Sequence, residues 1–200
     1  MATSASARLD AVLLLVRHGQ TAENARGLLL GRQDPPLSEI GRRQAAALGR
    51  MISPARVVSS PLRRARQTAE AFGEPVVVDE RWIEYDYGEL DGCRPEDVPE
   101  DVWARWRADA SFVPPGGESL IALGDRVRSA CEELSAEAAE HDVVVVSHVS
   151  PIKAAIAWAL AVDDNVAWRM FVRDASITRV AIAEHSPVLL SFNETPSVDY

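Results

Sequence analysis

The chain has 200 residues, 47% of them hydrophobic and 26% charged, with a formal net charge of −9. That composition describes one soluble globular domain with a sizeable core, and its acidity argues against duplex nucleic acid or an anionic membrane as partners. Cys93 and Cys131 are too isolated for a disulfide framework or a zinc knuckle, which points to a reducing cytoplasm, and the longest apolar run, residues 154–162, is about half of what spans a bilayer.

In chain order, residues 1–9 read as a flexible tail and residues 10–200 as a single domain. Apolar, β-branched runs predict strands at Val12–Arg17, Arg56–Ser59, Val76–Asp79 and Val143–Ser147. Two more, Ile177–Ala183 and Val188–Phe192, flank "EHSP" and form either a terminal hairpin or successive sheet strands. Helical patterns alternate with them. One spans Ser38–Ile52 with Ser38 as N-cap, and another spans Pro61–Phe72 with Ser60 as cap and Pro61 at the first helical position. A third, Ser119–Glu140, carries apolar residues at helical spacing, and a fourth, Ser150–Leu160, opens on Ser-Pro. The alternation predicts an α/β fold of three α/β/α layers around a mainly parallel sheet of about six strands. Residues 81–117 break the rhythm with prolines, "PPGG" and two tryptophan-bearing turns, and read as an inserted, lid-like excursion over one sheet edge. Trp103 and Trp106 are expected to form a small satellite core beneath it. The apolar final strand suits either a homodimer paired across it or simple closure of the sheet edge.

Three strand-to-helix junctions share an oddity. The first strand ends in Arg17 and His18, the second leads into "SSPLRRARQTA", and the fourth is followed by His148. Arginines near a helix N-terminus oppose its partial positive charge, and a bound anion would resolve the conflict. Since ligands of such sheets sit at the carboxyl ends of the strands, Arg17, His18, Arg64 and His148 form a candidate anion site. Arg63 and Arg66 read as solvated helix-face residues, His141 as a surface or capping histidine, and His185 as a turn residue. A metal site built on the two histidines is the weaker reading, because arginines rather than carboxylates neighbour them and no HxH or HxxxH spacing is present.

These stretches together resemble the histidine phosphatase superfamily, the group of phosphoglycerate mutase-like enzymes and small phosphatases. "VRHGQTAEN" is similar to its Arg-His-Gly signature, "LSEIGRRQAAALG" to the helix that follows, and "SSPLRRARQTA" to its second arginine motif. "WIEYDYGELDG" is similar to its acidic motif, "PPGGES" to the loop before its long helix, and "VVVVSHVSPIKA" to its second histidine motif. The resemblance runs from about residue 12 to about residue 160. It implies a phosphoglycerate mutase-like fold, His18 as a nucleophile forming a phosphohistidine, and Arg17, Arg64 and His148 as phosphoryl-binding groups. It implies Glu84 as the proton-transferring carboxylate, ahead of the nearby Asp86 and of Glu89 and Asp91, which read as solvated loop residues. Gly19, Thr21 and Asn24 complete the implied phosphate- and substrate-binding set, with no metal and no cofactor. One departure stands out. Many members have glycine after the second histidine, where this chain has Val149, so that residue's contact to phosphate is in question.

The segment 86–112 holds eight acidic and three basic residues, an unsuitable lining for retaining an acidic bisphosphate. The expectation is therefore a metal-independent phosphomonoesterase acting on a small soluble phosphate ester, similar to the branch of α-ribazole-phosphate phosphatase-like proteins. The alternatives are a phosphoglycerate mutase and a catalytically silent phosphate-binding module.

Overall fold

In the computed structural model, residues 11–183 and 186–197 are described; the expected tail at 1–9 and His185 lie outside them. Six strands form one sheet: β1 (Val12–Arg17), β2 (Arg56–Ser59), β3 (Val76–Val78), β4 (Val143–Ser147), β5 (Ile177–Ile182) and β6 (Pro187–Glu194). Their order across the sheet is β3-β2-β4-β1-β5-β6. The pairs β3/β2, β2/β4 and β4/β1 are parallel, while β5 and β6 add antiparallel, so the last two runs are both a hairpin and part of the sheet.

The period of two along a strand sorts the core into its layers. Leu13, Leu15, Val143 and Val145 turn to the face covered by α5 (Leu120–Ala138) and α6 (Val149–Leu160). Leu14, Val16, Val144 and Val146 turn to the other, where Leu48 of α2 (Glu39–Met51) and Ala65 of α3 (Arg63–Ala69) pack. Every residue of β4 is buried, which is why its sequence is an unbroken apolar run rather than an alternating one. A single helical turn, α1 (Ala22–Ala25), follows β1.

Two helix starts differ from expectation. Helix α3 begins at Arg63 with Leu62 at the N-cap and no side-chain cap; the Ser60 hydroxyl accepts from the Leu62 N–H just ahead of the helix and also bonds His148. Helix α6 begins at Val149, so His148 is itself the N-cap residue and Ser150 lies inside the first turn.

The excursion differs too. Trp103 and Trp106 lie in a nine-residue helix, α4 (Glu100–Ala108), rather than in a turn. Trp82, Tyr85 and Trp106 are buried in the same cluster as Leu123, Val127 and Ile152, so the segment extends the main core over α5 and α6 and forms no separate satellite. Ser147 Oγ donates to the Trp82 carbonyl and Arg126 donates to the Arg81 carbonyl, which ties the excursion to the end of β4 and to α5.

Candidate active site

The carboxyl ends of β1, β2 and β4 meet at one edge, and the residues that follow them line or back a cavity of about 950 Å³. His18 extends the ladder by one residue: its N–H donates to the Ser147 carbonyl at 3.0 Å and its own carbonyl accepts from Ala175. Its ring sits 5.0 Å, centroid to centroid, from that of His148.

The tautomer of His18 follows from its partner. Nδ1 lies 2.7 Å from the Gly19 carbonyl, which can only accept, so Nδ1 carries the proton and Nε2 the lone pair. Burial first, then the charges of Arg64 and Arg17, hold His18 well below the usual imidazole range, so it is neutral at pH 7. Arg64 Nε donates to that lone pair at 3.2 Å. A neutral imidazole with a free electron pair at Nε2 is a nucleophile in waiting.

Arg64 is fully buried, and burial lowers its pKa to about 10 against the opposing pull of Glu84, Asp34 and Asp91. Its terminal nitrogens donate to the carbonyls of Gln33 at 2.6 Å and Gly31 at 2.7 Å. The Asp91 carboxylate in turn accepts from the Gly31 and Gln33 N–H groups, so Asp91, expected to be a solvated loop residue, anchors the loop that aims Arg64. Arg17 is gripped on one side by the Val172 carbonyl at 2.7 Å and by Asp174 at 2.8 Å, and its buried Nε has no partner among the described residues.

Glu84 lies at the start of α6. Its carboxylate accepts from Tyr85 N–H at 2.7 Å and from Val149 and Ser150 N–H at 3.1 Å each, so a side chain from the excursion caps the helix. The departure at Val149 thus takes a definite form. Its N–H is committed to Glu84, and as the first residue of a helix Val149 needs no positive φ. His148 is fully buried; Nε2 shares a 2.7 Å hydrogen bond with Ser60 Oγ, and Nδ1 has no partner among the described residues. Burial, then Arg64 and His18, lower its pKa in the same direction.

Of the other expected residues, Asn24 lines the cavity; its Oδ1 accepts from Thr21, which leaves the amide NH₂ to donate. Gly19 and Thr21 stand behind the wall. Gly19 packs on Gly41 of α2, where a Cβ would come within 2.5 Å of the Gly41 carbonyl oxygen, and its N–H donates to Thr68. Thr21 is the N-cap of α1. Asp86 pairs with Arg32 at 3.0 Å and Glu89 is exposed, which leaves Glu84 as the carboxylate from this stretch on the cavity wall. Arg63 and Arg66 are exposed, as is His141. Lys153, the only lysine of the chain, lines the cavity one helical turn beyond Val149 and was not anticipated, although its uniqueness and position were readable. Tyr87 and Arg173 also line it. No group of three His, Cys, Asp or Glu side chains among the described residues is placed to hold a metal ion. Among the same residues no helix is long and apolar enough to cross a membrane.

Residues 13–195 match the histidine phosphatase superfamily, branch 1. The chain belongs to this family. It is 36% identical to phosphoserine phosphatase 1 of Hydrogenobacter thermophilus over 195 residues, covering 92% of each chain. A crystal structure of the Entamoeba histolytica phosphoserine phosphatase in complex with 3-phosphoglyceric acid superimposes with a TM-score of 0.86 at 26% identity, covering 92% of this histidine phosphatase chain and 97% of that one. A bifunctional protein of Mycobacterium tuberculosis is 38% identical over 177 residues, 83% of this chain; the chain spans 49% of that relative's length.

Proposed function

We propose that this histidine phosphatase hydrolyses small soluble phosphate monoesters, without a metal ion, through a phosphohistidine at His18 Nε2. The observation that carries the reading is the fixed tautomer of a buried, neutral His18 with its lone pair turned to Arg64. In the first step the Nε2 lone pair forms a bond to phosphorus while the bond to the ester oxygen breaks. Glu84 delivers a proton to that oxygen, and the alcohol leaves. The phosphorylated ring then carries positive charge, which the Gly19 carbonyl stabilises through the Nδ1 proton. In the second step Glu84 takes a proton from water, the water oxygen bonds to phosphorus, and the Nε2–P bond breaks to return neutral His18 and inorganic phosphate. Arg17, Arg64 and His148 face the phosphoryl oxygens, with the Asn24 amide as a neutral donor. Phosphate oxygens displace the Arg64 Nε–H from His18, so substrate binding itself releases the nucleophile. Segment 81–117 serves as a lid that carries Glu84 and Tyr87 to the cavity wall.

The net-acidic stretch 86–112 supports hydrolysis over phosphate return to a second acidic molecule. Two free thiols, Cys93 and Cys131, support a cytoplasmic setting, and the outward Val188, Leu190 and Phe192 of edge strand β6 support a homodimer, which sedimentation velocity can decide. The test of the activity is hydrolysis of p-nitrophenyl phosphate in EDTA. Turnover within about twofold of the untreated rate is expected, and loss of activity on chelation would overturn the metal-free mechanism. His18→Ala is expected to lose at least about a thousandfold in kcat together with all acid-labile phosphate incorporation. Labelling that persists in that variant would remove His18 as the nucleophile.

A further inference from the structure

Arg64 is fully buried, yet no carboxylate among the described residues forms an ion pair with it. Its side-chain partners are the His18 ring and the carbonyls of Gly31 and Gln33. A charge taken out of water depends on partners that stay in place, and residues 28–36 form no helix or strand that would fix those carbonyls. The fixing comes from outside the segment.

Gly31 and Gln33 face two ways. Their carbonyls receive the guanidinium, and their N–H groups donate to the two oxygens of Asp91 at 2.8 and 2.9 Å. Gln33 Nε2 donates to the Asp91 carbonyl at 3.1 Å. On either side of these bonds the same two segments hold one another. Leu29 N–H donates to the Cys93 carbonyl, Gly92 N–H donates to the Leu29 carbonyl, and Arg32 pairs with Asp86 at 3.0 Å. All of these fastenings run to residues 86–93 of the excursion, the piece of chain that carries Glu84. A separate tie, from Arg63 N–H to Asp34, joins the segment to the start of α3. Burial lowers the Arg64 pKa, and Glu84, Asp34 and Asp91 raise it, so the Asp91 charge also favours the guanidinium at a distance. Asp91 itself does not line the cavity.

We propose that Asp91 is a positioning residue for Arg64. Its carboxylate holds Gly31 and Gln33 where the guanidinium needs their carbonyls, so the excursion that brings Glu84 to the cavity wall also aims the phosphoryl clamp. The proposal rests on the phosphatase reading and adds to it a residue that touches neither substrate nor reacting atoms. Its effect travels through Arg64.

The test reads binding of inorganic phosphate by ³¹P NMR titration, which reaches weak affinities and needs no turnover. Asp91→Ala removes both acceptors and is expected to weaken binding about 10- to 100-fold. Asp91→Asn keeps one acceptor and is expected to weaken it about three- to tenfold; it carries the same comparisons should the alanine variant fail to fold. Double-mutant cycles locate the effect. In an Arg64→Met background, or Arg64→Gln should that not fold, the Asp91 substitution is expected to cost less than about twofold more. In a Glu84→Gln background it is expected to keep its full loss. Turnover gives a second reading: kcat/KM should fall by the same factor, within about threefold, on p-nitrophenyl phosphate and glycerol 3-phosphate, which share the phosphoryl group. Phosphate binding that Asp91→Ala leaves unchanged, full additivity with the Arg64 variant, or a loss confined to the alkyl ester would overturn the proposal. An enzyme inert to p-nitrophenyl phosphate would sink the phosphatase reading, while the phosphate-binding cycle would still decide the role of Asp91.

Discussion

His18 and Glu84 are both held by backbone rather than by other side chains alone. The Gly19 carbonyl selects the histidine tautomer, and three peptide N–H groups surround the carboxylate. Main-chain atoms of a sheet end and a helix start cannot rotate away, so the two reacting groups are preorganised at little further entropic expense. Glu84→Gln separates proton transfer from position, because the amide keeps an acceptor oxygen for the helix start. It is expected to lower kcat about 10²- to 10⁴-fold on alkyl phosphates and less on p-nitrophenyl phosphate, whose leaving group needs no proton. Equal losses on both esters would mean that Glu84 acts on the phosphoryl group instead. The residues legible from sequence, Arg17, His18, Arg64, Glu84 and His148, all break a local rule or sit in a motif. Asp174, Asp91 and Ser60 break none. They matter through bonds to residues far off in the chain, 58 to 88 positions away for Asp91 and Ser60 and farther still for Asp174, and residue type alone does not announce such partners.

Four of the helices are legible in the sequence as bodies, and two of them, α3 and α6, start elsewhere than the sequence predicts. Amphipathic spacing fixes where α2, α3, α5 and α6 run, since each must bury one face on the sheet. A cap, by contrast, depends on which acceptor reaches the first N–H groups, and at α6 that acceptor is a carboxylate 65 positions upstream. Where the cap is local, as with Ser38 and Ser119, sequence and structure agree. The seating of α2 is the more exacting feature. Gly41 in its first turn meets the Gln20 backbone so closely that a Cβ cannot fit between them, and the adjoining Gly19 packs on Gly41 just as tightly. Gly41→Ala must therefore push α2 and the loop carrying His18 apart. The expected outcome is a loss of about 1–3 kcal/mol, read as a fall in Tm of about 2–4 °C for each kcal/mol, with a matching loss of kcat. An unchanged Tm would mean that the contact relaxes without strain.

Across the molecule, two neutral histidines buried beside two arginines tie stability to acidity. In the unfolded chain both would titrate near pH 6.5, whereas in the fold both are held well below it. Below about pH 6.5 the unfolded state therefore binds more protons than the native one, and stability falls as the pH falls. With both groups contributing, the decline steepens toward roughly twice that of a single titrating group, and it fades above about pH 7.5. Denaturant titrations at pH 7.5, 6.0 and 5.0 measure it, and His18→Gln should remove about half of the slope. A slope that this variant does not change would place the acid sensitivity elsewhere in the chain.

The carboxylate that moves the proton is also the clasp that closes the first turn of α6. Whenever Glu84 changes its protonation state, the amides of Val149 and Ser150 change the company they keep, so the chemistry is audible in the backbone at the start of α6. Amide hydrogen exchange gives a direct reading. Glu84→Ala should quicken exchange at Val149 and Ser150 at least about tenfold, whereas Glu84→Gln, with its one acceptor oxygen on Ser150, should leave Ser150 within about threefold and quicken Val149, whose partner oxygen becomes an NH₂. Slow exchange in the alanine variant would show that water or another acceptor can take over the clasp.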